Sequence, residues 1–193
     1  MNVLLLGGSP SAPSTTWRLL QLAGERLAAQ GCRTQALHVR ELPGVALLRA
    51  DASDPALAQA LARVAQADAI VVGTPVYKAS FSGVLKTFLD LLPQDGLSGK
   101  LVLPLATGGS QSHMLAIDYA LRPVLASLGP RQILPGIYAT SEQLPWHPEA
   151  GLQAAPAIAA RIEAGVEQLA HELRLAARHR AGAPPADRIA VAA

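Results

Sequence analysis

Short, almost purely apolar runs alternate with longer amphipathic stretches along most of this chain, and that alternation restricts its fold more than any other feature. Val3–Leu6 is apolar throughout and ends in Gly7 and Gly8. A strand without polar alternation is one covered on both faces, the situation of a parallel sheet between helical layers. Thr34–Val39, Ala69–Val72, Leu101–Leu105 and Ile133–Tyr138 read as four further strands. The last contains Pro135 and Gly136, which remove a ladder donor and a packing side chain, so an edge position or a bulge is expected there.

Helix signals fill the intervals. Ser14 is an N-cap, Leu19, Leu20, Ala23, Leu27 and Ala28 share one face, and Gly31 stops the helix. Asp54 and Pro55 open a second helix carrying Leu57, Leu61 and Val64, and further helices are expected over Ser82–Leu92, Ser112–Leu128 and Ala155–Arg178. Pro123 lies inside the fourth and has no N–H, so the Tyr119 carbonyl loses its helical partner and a one-turn π-bulge is expected at Tyr119. Five strands alternating with five helices specify an α/β doubly wound sandwich: a five-stranded parallel sheet of order 2-1-3-4-5 with right-handed crossovers. With 193 residues, half of them hydrophobic, one core is expected. The domain is assigned to residues 1–178 and an Ala/Pro-rich mobile tail to residues 179–193.

Several function classes are set aside on composition. No apolar run reaches eighteen residues and no basic leader precedes the first strand, so a cytoplasmic protein without a membrane span is expected. The basic residues that give the net charge of +2 are scattered, which argues against nucleic acid as a partner. Cys32 is single and reads as a small buried thiol, and no metal site is assigned.

In a doubly wound sheet, ligands sit beyond the carboxyl ends of the strands where the winding reverses, here between the first and third strands. Three loops meet that point. Gly8–Ser14 is rich in hydroxyls and delivers the chain into a helix N-terminus, where N–H groups and the helix dipole attract an anion. A plain serine cap explains the same letters. The chain has neither a G-x-x-x-x-G-K-[ST] loop nor a G-x-G-x-x-G fingerprint, so a terminal monophosphate suits this turn better than a triphosphate or a dinucleotide pyrophosphate. Thr74–Ser82 offers Pro75, Val76 and Tyr77 as an apolar face for a planar ring, with Tyr77 as core filler the alternative. Thr107–Ser112 contains Gly108 and Gly109, whose bare N–H groups can meet a ring's polar edge or merely turn the chain.

At these positions the chain resembles the NADPH-dependent FMN reductases, in particular the reductase component of two-component alkanesulfonate monooxygenase systems. The resemblance spans Val3 to Ala139. It rests on Gly8-Ser9-Pro10, on Thr74-Pro75-Val76-Tyr77-Lys78, on Leu85-Lys86-Thr87 with Asp90-Leu91-Leu92-Pro93, and above all on Ala106-Thr107-Gly108-Gly109-Ser110 followed by Asp118-Tyr119-Ala120-Leu121. It implies a flavodoxin-like fold, NADPH as hydride donor and FMN as a loosely held cofactor or substrate. It further implies a homodimer or homotetramer and a monooxygenase partner that consumes reduced FMN in sulfur assimilation. By the same resemblance, Ser9, Ser14, Thr15 and Thr16 surround the FMN phosphate, Pro75, Val76, Tyr77 and Lys78 line the ring and ribityl chain, and Thr107, Gly108, Gly109 and Ser110 touch the ring's far edge. Tyr119 then lies at a subunit interface and keeps flavin exchangeable. One departure is Ser11, where many relatives carry arginine, with Arg18 as a substitute cation.

Hydride transfer between stacked rings needs proximity rather than a side-chain acid or base, so no catalytic residue is assigned. His113 reads as a surface or interface histidine, and the set Ser110, Ser112, His113 and Asp118 lacks the elbow of a serine hydrolase. Two other functions fit the same fold: a reductase of quinones, azo dyes or metal ions that retains its FMN, and a flavodoxin-type electron carrier. The second fits poorly with 14 acidic against 16 basic residues.

Overall fold

Strand β1 (Asn2–Gly7) runs parallel to both its neighbours, β2 (Arg33–His38) and β3 (Ala69–Tyr77), in a computed structural model that describes residues 1–182. Beyond β3 and its short partner β4 (Ser80–Phe81) come β5 (Leu101–Gly108) and then β6 (Gln132–Ile133) and β7 (Ile137–Thr140), which share one edge of the sheet. Counting β6 and β7 as one interrupted strand and β4 as a branch, the order is the expected 2-1-3-4-5, a flavodoxin-like arrangement whose winding reverses between β1 and β3.

The period-2 geometry of β1 divides the core. Val3 and Leu5 pack with Leu19, Leu20 and Leu27 of α1 (Thr15–Ala29) and with Ile162, Val166 and Leu169 of α6 (Pro156–Gly182). Leu4 and Leu6 face the other way, toward α3 (Pro55–Gln66), α4 (Gly83–Leu89) and α5 (Arg122–Ser127), which contribute Leu57, Val64, Leu85, Phe88 and Leu125. The helix ends follow the sequence signals. Ser14 Oγ accepts from Trp17 N–H at 3.1 Å, Asp54 accepts from the N–H groups of Ala56 and Leu57, and Gly31 takes a φ of +80° just past α1. Lys100 caps the other end of α3, its Nζ donating to the carbonyls of Ala65 and Ala67 at 2.8 and 2.9 Å. Cys32 is buried in the core, and burial pushes its thiol pKa up, as befits an unreactive structural thiol.

Several boundaries differ from expectation. β3 runs on from Val72 to Tyr77 and β5 from Leu105 to Gly108, so residues read as loop are strand. α4 stops at Leu89 instead of Leu92: Pro93 has no N–H to offer the Leu89 carbonyl, and the chain tightens so that the Leu91 and Leu92 N–H groups reach back only three residues, to Phe88 and Leu89. The expected continuous helix Ser112–Leu128 is composite: a 3₁₀ turn at Gln111–His113, a π-turn at Ile117–Leu121, then α5. The π-turn is the one anticipated from Pro123, and Arg122 N–H reaches back five residues to the Ile117 carbonyl. α6 continues through Gly182, beyond the expected end at Arg178; the rest of the assigned tail, residues 183–193, lies outside the described residues. Helix α2 (Gly44–Leu48) and the ribbon of β8 (Trp146–His147) and β9 (Gly151–Leu152) were not anticipated, since elements of two to five residues are too short to show a period.

The interrupted edge strand is a bulge with its own support. β6 pairs Ile133 with Val102, whereas β7 pairs Ile137 with Leu105, so two residues of β5 oppose three of its neighbour. Val102 accepts from Leu134 N–H at 2.8 Å, which turns the N-side of Pro104, two residues on, toward this same edge, where a missing donor costs least. Arg122 braces the bulge, its guanidinium donating to the carbonyls of Ile133 and Leu134 at 3.2 and 3.1 Å while Nε holds Asp118 at 3.0 Å. Arg122→Met keeps the aliphatic stem and strands those two carbonyls, and is expected to lower unfolding free energy by about 2 kcal/mol. Urea denaturation should register this as a lower midpoint at unchanged slope.

Candidate functional site

The segments that follow β1, β3 and β5, with a contribution from β7, enclose a cleft of about 260 Å³. Its first wall is the start of α1: Ser9, Ser14, Thr15 and Thr16, joined by Ser11 and Pro13. Ser14 Oγ takes the Trp17 N–H and the Ser14 carbonyl takes that of Arg18, which leaves the amides of Thr15 and Thr16 as the first-turn donors without a helical partner. The second wall is Pro75, Val76 and Tyr77 at the end of β3, with Tyr77 47% exposed. The third is Thr107, Gly108 and Gly109 at the end of β5, faced by Ser141 just past β7.

Buried hydroxyls tie the walls together. Thr16 and Thr107 share a hydroxyl–hydroxyl hydrogen bond of 2.6 Å across 91 residues of sequence. Ser82 Oγ donates to the Gly8 carbonyl and accepts from Leu85 N–H, while Thr74 Oγ1 accepts from Ser82 N–H at 3.0 Å. Close backbone approach is required as well. A Cβ on Gly8 would come within 2.6 Å of Leu85 Cβ, and one on Gly73 would overlap the Leu20 side chain.

Ten of the expected site residues therefore line one cleft, and three do not. Lys78 is exposed at the tip of the β3–β4 hairpin, where Lys78 and Ala79 take φ of +49° and +60°, the pair of positive values that a two-residue type I′ turn demands. Ser110 lies beyond the third wall with its carbonyl accepting from Tyr138 Oη at 2.5 Å. Tyr119 stands on the π-turn, 79% exposed, beside exposed Met114 and Leu115. Arg18, the cation considered in place of the arginine absent at Ser11, does not line this cleft, and its guanidinium lies 4.1 Å from the Trp146 ring centre. Arg40 is the cation at the first loop, donating to the Ser11 carbonyl. His113 is exposed in its 3₁₀ turn, and Asp118 is paired with Arg122. Sequence reasoning missed Ser141, whose place depends on the β7 register.

Hydroxyls and unpaired amides at one end, an apolar face along one side and bare backbone at the other end fit a phosphate-bearing planar ring system. The profile of the NADPH-dependent FMN reductase family matches residues 1–144. The chain belongs to that family. It is 49% identical over 144 residues to an FMN reductase (NADPH) of Pseudomonas putida, covering 75% of this chain and 73% of the relative. It is 37% identical over 151 residues to the NADH-dependent FMN reductase SfnF of Pseudomonas putida, covering 76% and 81%. Among solved structures, an NADH:FMN oxidoreductase in its apo form superimposes with a TM-score of 0.81 at 38% identity over 89% of each chain. This family membership makes the chain an oxidoreductase with FMN and NADPH as its cofactor pair. Among the described residues no helix is long and apolar enough to cross a membrane, and no cluster of three potential metal ligands occurs.

Behind the first wall, Trp17 packs on His38 with ring centres 3.6 Å apart. Burial is the main cause that holds the His38 pKa below 6.5; Glu41 opposes it and Arg40 adds to it. The unfolded chain therefore takes up this proton first as pH falls through 6.5, and the folded state loses stability until its own lower pKa is passed. His38→Asn should flatten this part of the stability profile when urea midpoints are compared above and below pH 6.5.

Proposed function

We propose that the chain reduces FMN with NADPH, takes FMN as an exchanging substrate, and supplies the reduced flavin to a monooxygenase that acts on alkanesulfonates in cytoplasmic sulfur assimilation. One observation carries the substrate reading: none of the residues lining the cleft bears a charge. A phosphate dianion met only by hydroxyls and amides lacks the ion pair that would add to its retention, which supports a flavin that exchanges. In this reading Ser9, Ser14, Thr15 and Thr16 hold the phosphate, and Arg40 lends positive charge from behind Ser11. Pro75, Val76 and Tyr77 support the ring and ribityl chain, with Lys78 at the rim, and the backbone of Thr107–Ser110 meets the far edge.

With FMN held there, the flavin and a reduced nicotinamide would supply the hydride-transfer chemistry. The chain's part is to orient the two planar systems and keep water out, which needs no acid or base side chain. The names of its relatives divide between NADPH and NADH, and the name of the matching family model supports NADPH here. The exposure of Met114, Leu115 and Tyr119, large apolar side chains within six positions of one another, supports a homodimer or homotetramer with Tyr119 at the contact.

The deciding experiment is NADPH oxidation followed against added FMN. The purified protein should be nearly colourless and its rate should saturate with free FMN. Stoichiometric FMN surviving gel filtration would favour the quinone-, azo- or metal-reducing alternative, and negligible turnover the electron carrier. Thr15 gives the cleaner probe of the phosphate end, because Thr16 also holds Thr107. Thr15→Val should raise the KM for FMN by about tenfold or more while leaving that for riboflavin nearly unchanged.

A further inference from the structure

Tyr138 lies outside the cleft, on β7, and packs behind the third wall at Gly108 and Ser110. It is 2% exposed, its ring packing with Ala106, Ile117 of the π-turn and Val76 of the second wall. Its hydroxyl donates to the Ser110 carbonyl at 2.5 Å. The same oxygen fills the space beside Gly108, where a Cβ would overlap it. On the far side of the two glycines, Thr107 is fastened to Thr16. Gly108 is held by its pairing with Thr140 at the end of the β5–β7 ladder, whereas Gly109 lies past the strand and has no side chain with which to fix itself, so the direction of its N–H group depends on the anchors at Thr107 and Ser110. Burial raises the Tyr138 pKa above its ordinary value of 10, so the hydroxyl keeps its proton and remains a donor at neutral pH.

We propose that Tyr138 is a positioning residue for the flavin ring: its buried hydroxyl holds the Ser110 carbonyl, and so holds the Gly108–Gly109 backbone at the geometry the ring edge requires. This rests on the reading of the cleft as the flavin site. The phenyl ring of a Tyr138→Phe variant preserves the packing with Ala106, Ile117 and Val76, while the third wall loses one of its anchors.

Steady-state kinetics with free flavins test this, with a melting curve on each variant as the control for folding. Tyr138→Phe should raise the KM for FMN about five- to tenfold with kcat near the wild-type value. It should raise the KM for riboflavin by the same factor, since the ring end does not see the phosphate. Gly108→Ala alone should weaken flavin further, by pushing against the hydroxyl. Combined with Tyr138→Phe, which removes the overlapping oxygen, the alanine should cost much less than it does alone. A folded Tyr138→Phe protein with flavin KM values within twofold of wild type, or additive effects in the double variant, would overturn the proposal. If wild type neither retains FMN through gel filtration nor shows a saturable dependence on added FMN, the reading of the cleft fails and the proposal with it.

Discussion

The cleft depends on hydroxyl groups that bond to one another and to the main chain across its walls. Thr16, Thr74, Ser82 and Thr107 are buried, and each spends hydrogen-bonding capacity on another loop or on its own turn. The strands beneath are parallel, so successive loops at their carboxyl ends are separated by whole helices and have no local reason to stay together. Small side chains that donate and accept at once solve this. They fit between closely approaching backbones where a longer polar group would not, and among the described residues no buried side-chain nitrogen or oxygen is left without a partner. Gly8 and Gly73 serve the same end by letting Leu85 and Leu20 press against the main chain.

A cleft so built has a consequence for its ligand. The lining is polar at one end and contains no formal charge, so binding rests on shape, amide dipoles and neutral hydroxyls. Arg40 is spent on a backbone carbonyl and on Glu41, 3.6 Å away, and Arg18 on Trp146. Cations are therefore near the site while none enters it. That arrangement attracts an anion to the vicinity more than it grips one.

Much of the architecture was legible because it follows from patterns that act locally. The uniformly apolar Val3–Leu6 reads as a doubly covered strand, and the missing N–H of Pro123 is enough to place the π-turn. The ends of β3 and β5 were not legible. Gly73-Thr74-Pro75 and Thr107-Gly108 carry loop-like residues whose extended state is imposed by pairing with one another, Thr74 to Ala106 and Pro75 to Thr107. The hairpin turn at Lys78-Ala79 was hidden for the opposite reason, since neither residue favours the left-handed conformation it adopts. The ten residues that do line the cleft were found from their loops, whereas Ser141 and the Thr16–Thr107 bond depend on distant segments meeting, which no local pattern records.

The extra residue between β6 and β7 also decides which way the end of the sheet faces. In an even strand Ile133 and Ile137 would project from the same side, four residues apart. Here Ile133 packs with the α3–α4 layer and Ile137 with the α1–α6 layer, so the parity of every later side chain is reversed. Without that reversal, Tyr138 would turn under α6 and leave a hole beside Ile117. A single inserted position, tolerated because Arg122 covers its carbonyls, thus selects the face on which the edge strand can support the cleft.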